Sequence, residues 1–178
     1  MTSGKQRDSI SNVVLIGMPG SGKSTLGLAL AQLLDLAFFD CDEYIERREG
    51  QTLQQIIDNR GVDEFKKIEE ARILEINLQR HVIATGGSIV YYPKVMNHLR
   101  TSSVFVFLNT PFDEIYARLD DASQRGIVGL KTNKLHVLFQ ERQPLYFRYA
   151  DIVIDCKEKS KDQILEELYY SLKDKLPP

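Results

Sequence analysis

The run Gly17-Met18-Pro19-Gly20-Ser21-Gly22-Lys23-Ser24 fills every fixed position of the pattern G-x-x-x-x-G-K-[ST]. An apolar strand pattern, Val13-Val14-Leu15-Ile16, precedes it, and a helical pattern with Leu26, Ala29, Leu30, Leu33 and Leu34 follows. Strand, glycine-rich loop and helix in that order commit the chain to an α/β arrangement with an anion site at the join. The glycines let backbone N–H groups turn inward without Cβ clashes, and the helix N-terminus adds a partial positive charge facing the anion. A glycine-rich turn that only caps a helix would not need all four fixed positions in this context. The run therefore reads as a cradle for a nucleoside triphosphate, built from Gly17, Gly20, Ser21, Gly22, Lys23, Ser24 and Thr25. Lys23 is expected to reach the β- and γ-phosphates, and the Ser24 hydroxyl to take one Mg²⁺ position.

At 178 residues the chain fits one domain with a core of its own, so 1–178 is expected to be a single unit after a loose terminus at 1–11. A net charge of −2 argues against nucleic acid or an anionic membrane as the main partner. Cys41 and Cys156 have neither metal-ligand nor disulfide-framework spacing, which fits a reducing cytosol. No apolar run approaches a membrane span, and the polar start Met1-Thr2-Ser3-Gly4 is no signal peptide. A cytoplasmic monomer is the expectation.

Strand and helix signals alternate from end to end, the pattern of a parallel sheet covered on both faces. Five short apolar strands are expected at 13–16, 37–39, 82–84, 104–108 and 152–154, each mostly apolar on both sides. Thr52 with Gln55, and Ser160 with Gln163, read as capping boxes. Thr110-Pro111-Phe112-Asp113 reads as a further helix start, and a long charged helix is expected around 64–78. The segment 120–130 has no stable period and two glycines, so a lid is expected at about 120–132.

Phe39-Asp40-Cys41-Asp42 places two acids at the C-terminal end of the second strand, the edge that faces the ligand crevice in an open α/β sheet. Strand alternation would send Asp40 and Asp42 the same way, one to serve Mg²⁺ through water and one to hold a substrate hydroxyl. Asp42 could instead cap the helix expected at 43–49.

With these residues in view the chain resembles the shikimate kinase family. The resemblance runs in order through the P-loop with Leu26-Gly27, then Phe39-Asp40-Cys41-Asp42, Ile45-Glu46 and Gly50. It continues with Gly61, Phe65 and Glu69, then Ala84-Thr85-Gly86-Gly87, and closes with Arg142-Gln143-Pro144-Leu145-Tyr146 and Ala150-Asp151. It implies a P-loop kinase fold, a five-stranded parallel sheet flanked by helices on both faces with a lid loop. It also implies Mg-ATP-dependent phosphoryl transfer to a hydroxyl of shikimate, giving shikimate 3-phosphate. By the same resemblance Lys23 holds phosphate, Ser24 binds Mg²⁺ and Asp40 supports the metal from its outer shell. Asp42 takes substrate hydroxyls, the Gly86-Gly87 backbone approaches the ring, Arg142 grips the carboxylate, Arg125 covers the phosphates and Arg118 lies against the adenine.

Three departures fall at the acceptor side or lid. Lys66 stands where the family carries an arginine, keeping the charge without the planar fork. Ser88 replaces the third glycine of Gly-Gly-Gly, near the ring, and the lid reads Arg125-Gly126-Ile127-Val128. The acceptor is thus expected to be shikimate, bound by Asp42, Lys66, Gly86, Gly87, Ser88 and Arg142, or else another small hydroxylated acid. A nucleoside monophosphate kinase would share the fold, but Asp40 and Asp42 would repel an anionic acceptor. A nucleotide-gated binding module would not need the whole set of Lys23, Ser24, Asp40 and Arg125. A guanine-reading Asn-Lys-x-Asp run is absent from the sequence. The partners expected are ATP and a small hydroxylated metabolite.

Overall fold

The computed structural model of the protein describes residues 10–123 and 132–176. Five strands form one wholly parallel sheet: β1 (Asn12–Ile16), β2 (Ala37–Asp40), β3 (His81–Ala84), β4 (Ser103–Asn109) and β5 (Ile152–Asp155). Their order across the sheet is β2-β3-β1-β4-β5. Among the described residues eight α-helices accompany them: α1 (Lys23–Leu33), α2 (Cys41–Glu49), α3 (Leu53–Arg60), α4 (Val62–Leu74), α5 (Pro93–Arg100), α6 (Phe112–Ser123), α7 (Thr132–Tyr149) and α8 (Lys161–Leu172), the last following β5. All five expected strands are present, extended by a residue or two.

The order explains the burial. β1, β3 and β4 lie inside the sheet, and β1 is buried along its whole length. β2 and β5 are the edges, and neither is fully buried: Ala37 and Val153 face solvent. The two-sided burial expected of every strand therefore fails at the edges, where one flank has no neighbour. Alternation splits the core into two apolar layers. Val14, Ile16, Phe105 and Phe107 point to one face with Cys41, Met96 and Tyr146, while Val13, Leu15, Val106 and Leu108 point to the other with Leu30, Cys156 and Leu168. Both cysteines are free, buried and on opposite faces of the sheet.

Both capping boxes form. Thr52 Oγ1 accepts from the Gln55 amide at 3.2 Å while Gln55 Oε1 accepts from Thr52 N–H at 2.9 Å. Ser160 and Gln163 do the same at 3.3 and 2.8 Å. The helix expected at 64–78 is α4, but it stops at Leu74; Ile76 leaves helical pairing to bury its side chain, and the chain then turns through Arg80 at a φ of 60° into β3. The expected lid begins as helix, since 120–123 finish α6. Residues 124–131, Arg125 included, fall outside the described residues, and Thr132 opens α7.

Because every strand runs the same way, all five C-terminal ends meet at one edge. There β1 opens into the glycine-rich loop, β2 delivers Asp40 and β3 delivers Thr85, Gly86 and Gly87. The register sets Asp40 opposite Ala84, and Ala84 opposite Leu15. Thr85 Oγ1 donates to the Leu15 carbonyl at 2.8 Å, tying the β3 loop to the root of the glycine-rich loop.

Candidate active site

A cavity of about 610 Å³ opens at this edge, lined by the 19–26 stretch, Asp42, Thr85, Gly87, Arg118, Lys159 and Lys161. The glycine-rich loop carries positive φ at Gly20 (78°) and Gly22 (95°), the second capping α1, so the loop's tight path needs residues without a Cβ. Lys23, the first residue of α1, folds back into the loop and donates to the carbonyls of Gly17 at 2.9 Å and Met18 at 2.8 Å, with Ser21 Oγ at 3.4 Å. Burial of its ammonium lowers the Lys23 pKa to about 8, against the pull of Asp42 and Asp40.

Ser24 and Asp40 meet directly: the Ser24 hydroxyl donates to Asp40 Oδ2 at 2.6 Å. Asp40 Oδ1 caps α2, accepting from the amides of Asp42 at 2.9 Å and Glu43 at 3.4 Å. The cap is therefore Asp40 and not Asp42. The strand ends at Asp40, so Asp42 reaches the site from the first turn of α2 rather than by strand alternation. Burial, and then the neighbouring Asp40 charge, raise the Asp42 pKa to about 6, opposed by Lys23.

Gly86 and Gly87 need their missing side chains. A Cβ on Gly86 would stand 2.7 Å from Glu69 Oε1 and 3.1 Å from Asp42 Oδ1; one on Gly87 would stand 2.6 Å from Pro19 Cδ and 3.0 Å from Arg142 Nη1. The space beside these glycines holds the protein's own acids and guanidinium. Tyr146, fully buried on α7, donates to the Gly87 carbonyl at 2.6 Å and stacks on Phe107. Arg142 sits in the interior of α7 rather than at a solvated helix end.

Ser88 turns to Glu69: its hydroxyl lies 2.8 and 2.6 Å from the two carboxylate oxygens, and the Tyr92 hydroxyl donates to Oε2 at 2.7 Å. Burial pushes the Glu69 carboxyl up, while these bonds and Arg142 hold it down. Lys66 lies one turn before Glu69 on α4, half-exposed, with its ammonium 3.7 Å from Asp63. Arg118 on α6 donates to the Gly20 carbonyl at 3.1 Å and pairs with Glu114 at 2.8 Å, which sets it beside the glycine-rich loop. The structure thus gathers Lys23, Ser24, Asp40, Asp42, Gly86, Gly87 and Arg142 at one edge, with Arg118 at its rim. Lys66 is turned to Asp63, outside the lining of the cavity.

Glu69 received no role in the sequence reading, although an acid on the apolar side of α4, four residues before buried Ile73, was the available signal. Tyr91 and Tyr146 carry no local signal of a role in the sequence.

A parallel five-stranded sheet with a triphosphate loop after its central strand, and an acid at the end of the edge strand two places away, defines a P-loop kinase. A model of the shikimate kinase family matches residues 19–173. The chain belongs to the shikimate kinase family. It is 32% identical over 162 residues to a shikimate kinase of Caldanaerobacter subterraneus subsp. tengcongensis, covering 89% of this chain and 94% of that one. It is 37% identical over 164 residues to one of Colwellia psychrerythraea, covering 88% and 94%. Among solved structures, a shikimate kinase from Acinetobacter baumannii in complex with shikimate superposes with a TM-score of 0.84 at 29% identity, covering 95% of this chain and 97% of that one. No helix among the described residues is long and apolar enough to cross a membrane.

Proposed function

We propose that this chain transfers the γ-phosphoryl group of ATP to a hydroxyl of shikimate, giving shikimate 3-phosphate, and that it works as a cytoplasmic monomer with Mg²⁺. The observation that carries this reading is the position of Asp42. Its carboxylate feels the Lys23 ammonium on the nucleotide side, and it stands 3.1 Å from the place a Gly86 Cβ would take on the other. One acid thus joins the phosphate cradle to the wall that ends at Arg142.

Phosphoryl transfer asks the protein for positioning and charge neutralisation. Lys23 exchanges its loop carbonyls for phosphate oxygens and neutralises charge as the bond to the leaving oxygen lengthens. Asp42, ionised above pH 6, orients the acceptor hydroxyl and receives its proton as the new P–O bond forms. Arg142 takes the acceptor carboxylate in a two-pronged contact, with Lys66 contributing a point charge. Gly86 and Gly87 keep the backbone close to the ring. Ser88 acts from behind it through Glu69. Arg118 flanks the nucleotide base, and Arg125 covers the phosphates.

Ser24 and Asp40 fit Mg²⁺, which takes one or two protein oxygens and completes its shell with water and phosphate. Bound there, the ion would supply charge neutralisation for the transferring phosphoryl group.

The test is ADP release coupled to a reporter enzyme, with shikimate, quinate, gluconate and nucleoside monophosphates as acceptors, with and without Mg²⁺. Mg-dependent release with shikimate, at least about tenfold above the rest in kcat/KM, is expected. Release driven by quinate or gluconate instead would move the acceptor to another hydroxylated acid. Release without any acceptor, or none with all of them, would overturn the kinase reading.

A further inference from the structure

The acceptor wall holds a contact that the reaction as derived does not use. Residues 89–91 form one 3₁₀ turn directly after Gly86, Gly87 and Ser88. Ile89 and Val90 are buried and anchor it, and Tyr91 N–H donates to the Ser88 carbonyl at 2.9 Å, so the Tyr91 ring is carried outward, 38% exposed. A ring this large gains little from burial at that exposure. Its face and its hydroxyl are instead committed to one charge. The Arg142 guanidinium carbon lies 5.3 Å from the Tyr91 ring centroid, and Arg142 Nε donates to the phenol oxygen at 3.4 Å. The phenol in turn donates to Glu141 Oε2 at 3.4 Å, the residue just before Arg142 on α7. The two polar contacts are long, so they set direction; the ring face supplies the main attraction, within the range of a cation–π contact.

We propose that Tyr91 is a positioning residue for Arg142, and that it sets the affinity of this chain for the carboxylate of its acceptor. The proposal rests on the function proposed above. A free arginine side chain samples many rotamers, and a carboxylate that binds it must first collect them into one. With Nε engaged by the phenol, Nη1 against Gly87 and a further hydrogen bond to the Tyr146 hydroxyl, the guanidinium of this chain is ordered beforehand at the acceptor wall. The demand is high here because the second cation, Lys66, is a point charge paired with Asp63. The planar grip therefore falls to Arg142. Burial cannot explain Tyr91, whose ring and hydroxyl contacts run to Arg142 and Glu141 of α7.

The test is a double-mutant cycle on the intact chain, reading kcat/KM for shikimate from initial slopes, KM for ATP, and the thermal midpoint. Tyr91→Leu is expected to lower kcat/KM for shikimate about tenfold while moving KM for ATP less than about twofold. Tyr91→Phe keeps the ring and is expected to stay within about threefold of the parent. In an Arg142→Gln background, Tyr91→Leu is expected to change kcat/KM by less than about twofold, because its route of action is gone. Tyr91→Met, which keeps bulk without the π face, stands in if the leucine variant does not fold. An undiminished effect of Tyr91→Leu in the Arg142→Gln background would overturn the proposal, as would a parent-like Tyr91→Leu. A parent enzyme that turns over quinate or gluconate but not shikimate would overturn the shikimate reading; the same cycle on that acid then decides Tyr91 separately. A parent inactive on every acid would overturn both.

Discussion

At the residue scale the role proposed for Asp42 has a readable signature in its environment. On the proposed mechanism transfer needs Asp42 ionised and Lys23 protonated, so kcat/KM should rise through about pH 6 and fall through about pH 8, a bell whose limbs belong to the pair. A pH–rate profile checks it, and Asp42→Asn should abolish most turnover while leaving KM for ATP nearly unchanged. The same shift bears on stability. The folded pKa lies above the ordinary value of 3.8, so between the two the native state holds more protons and stability falls as pH rises. Asp42→Asn should therefore stabilise the fold by on the order of 1–2 kcal/mol at pH 7 and not at pH 4, read from urea unfolding at both. Lys66 supplies the second residue-scale test. Lys66→Arg adds a planar fork one turn before Glu69, and KM for shikimate should drop, by about tenfold at most, with KM for ATP unmoved. A rise in KM would mean that the pairing with Asp63 is the state the site uses.

At the element scale the helix starts were the most legible parts of the chain, since a cap is a contact between residues three apart. Ser160→Ala removes the hydroxyl that accepts from Gln163 N–H and leaves an orphan amide at the start of α8. It should cost about 1 kcal/mol in chemical unfolding and nothing in kcat. Other boundaries were decided by neighbours. The charged stretch after Leu74 has nothing local to stop a helix; α4 ends there because Ile76 is drawn into the apolar layer and the chain must enter β3. Asp40 displaces Asp42 as the cap of α2 because β2 continues one residue further, paired to β3 at Ala84.

At the scale of the whole molecule, the sheet divides the core into a layer beneath the acceptor wall and a layer beneath α1 and α8. Leu168 is fully buried in the second layer, away from Tyr146, Tyr92 and Cys41 in the first. Leu168→Ala should lower stability by about 2–5 kcal/mol, seen as a fall in the urea midpoint, while kcat and both KM values stay near those of the parent at low temperature. A comparable loss of shikimate affinity would show that the two layers are mechanically coupled through the sheet.

The sequence by itself determined the triphosphate loop, the five strands, the helices between them and the two capping boxes. Each of these is written in residues a few positions apart, within the reach of one turn, one loop or one strand. Tertiary structure alone decided the acceptor wall. Ser88 finds Glu69 across 19 positions, Tyr91 finds Arg142 across 51, and Tyr146 finds the Gly87 carbonyl across 59. Those meetings depend on β3 being inserted between β2 and β1, which no local period encodes. Gly86 and Gly87 show the difference most plainly. Their lack of side chains was visible in the chain, but the need for it comes from Glu69, Asp42, Pro19 and Arg142 closing on them from four other elements and loops.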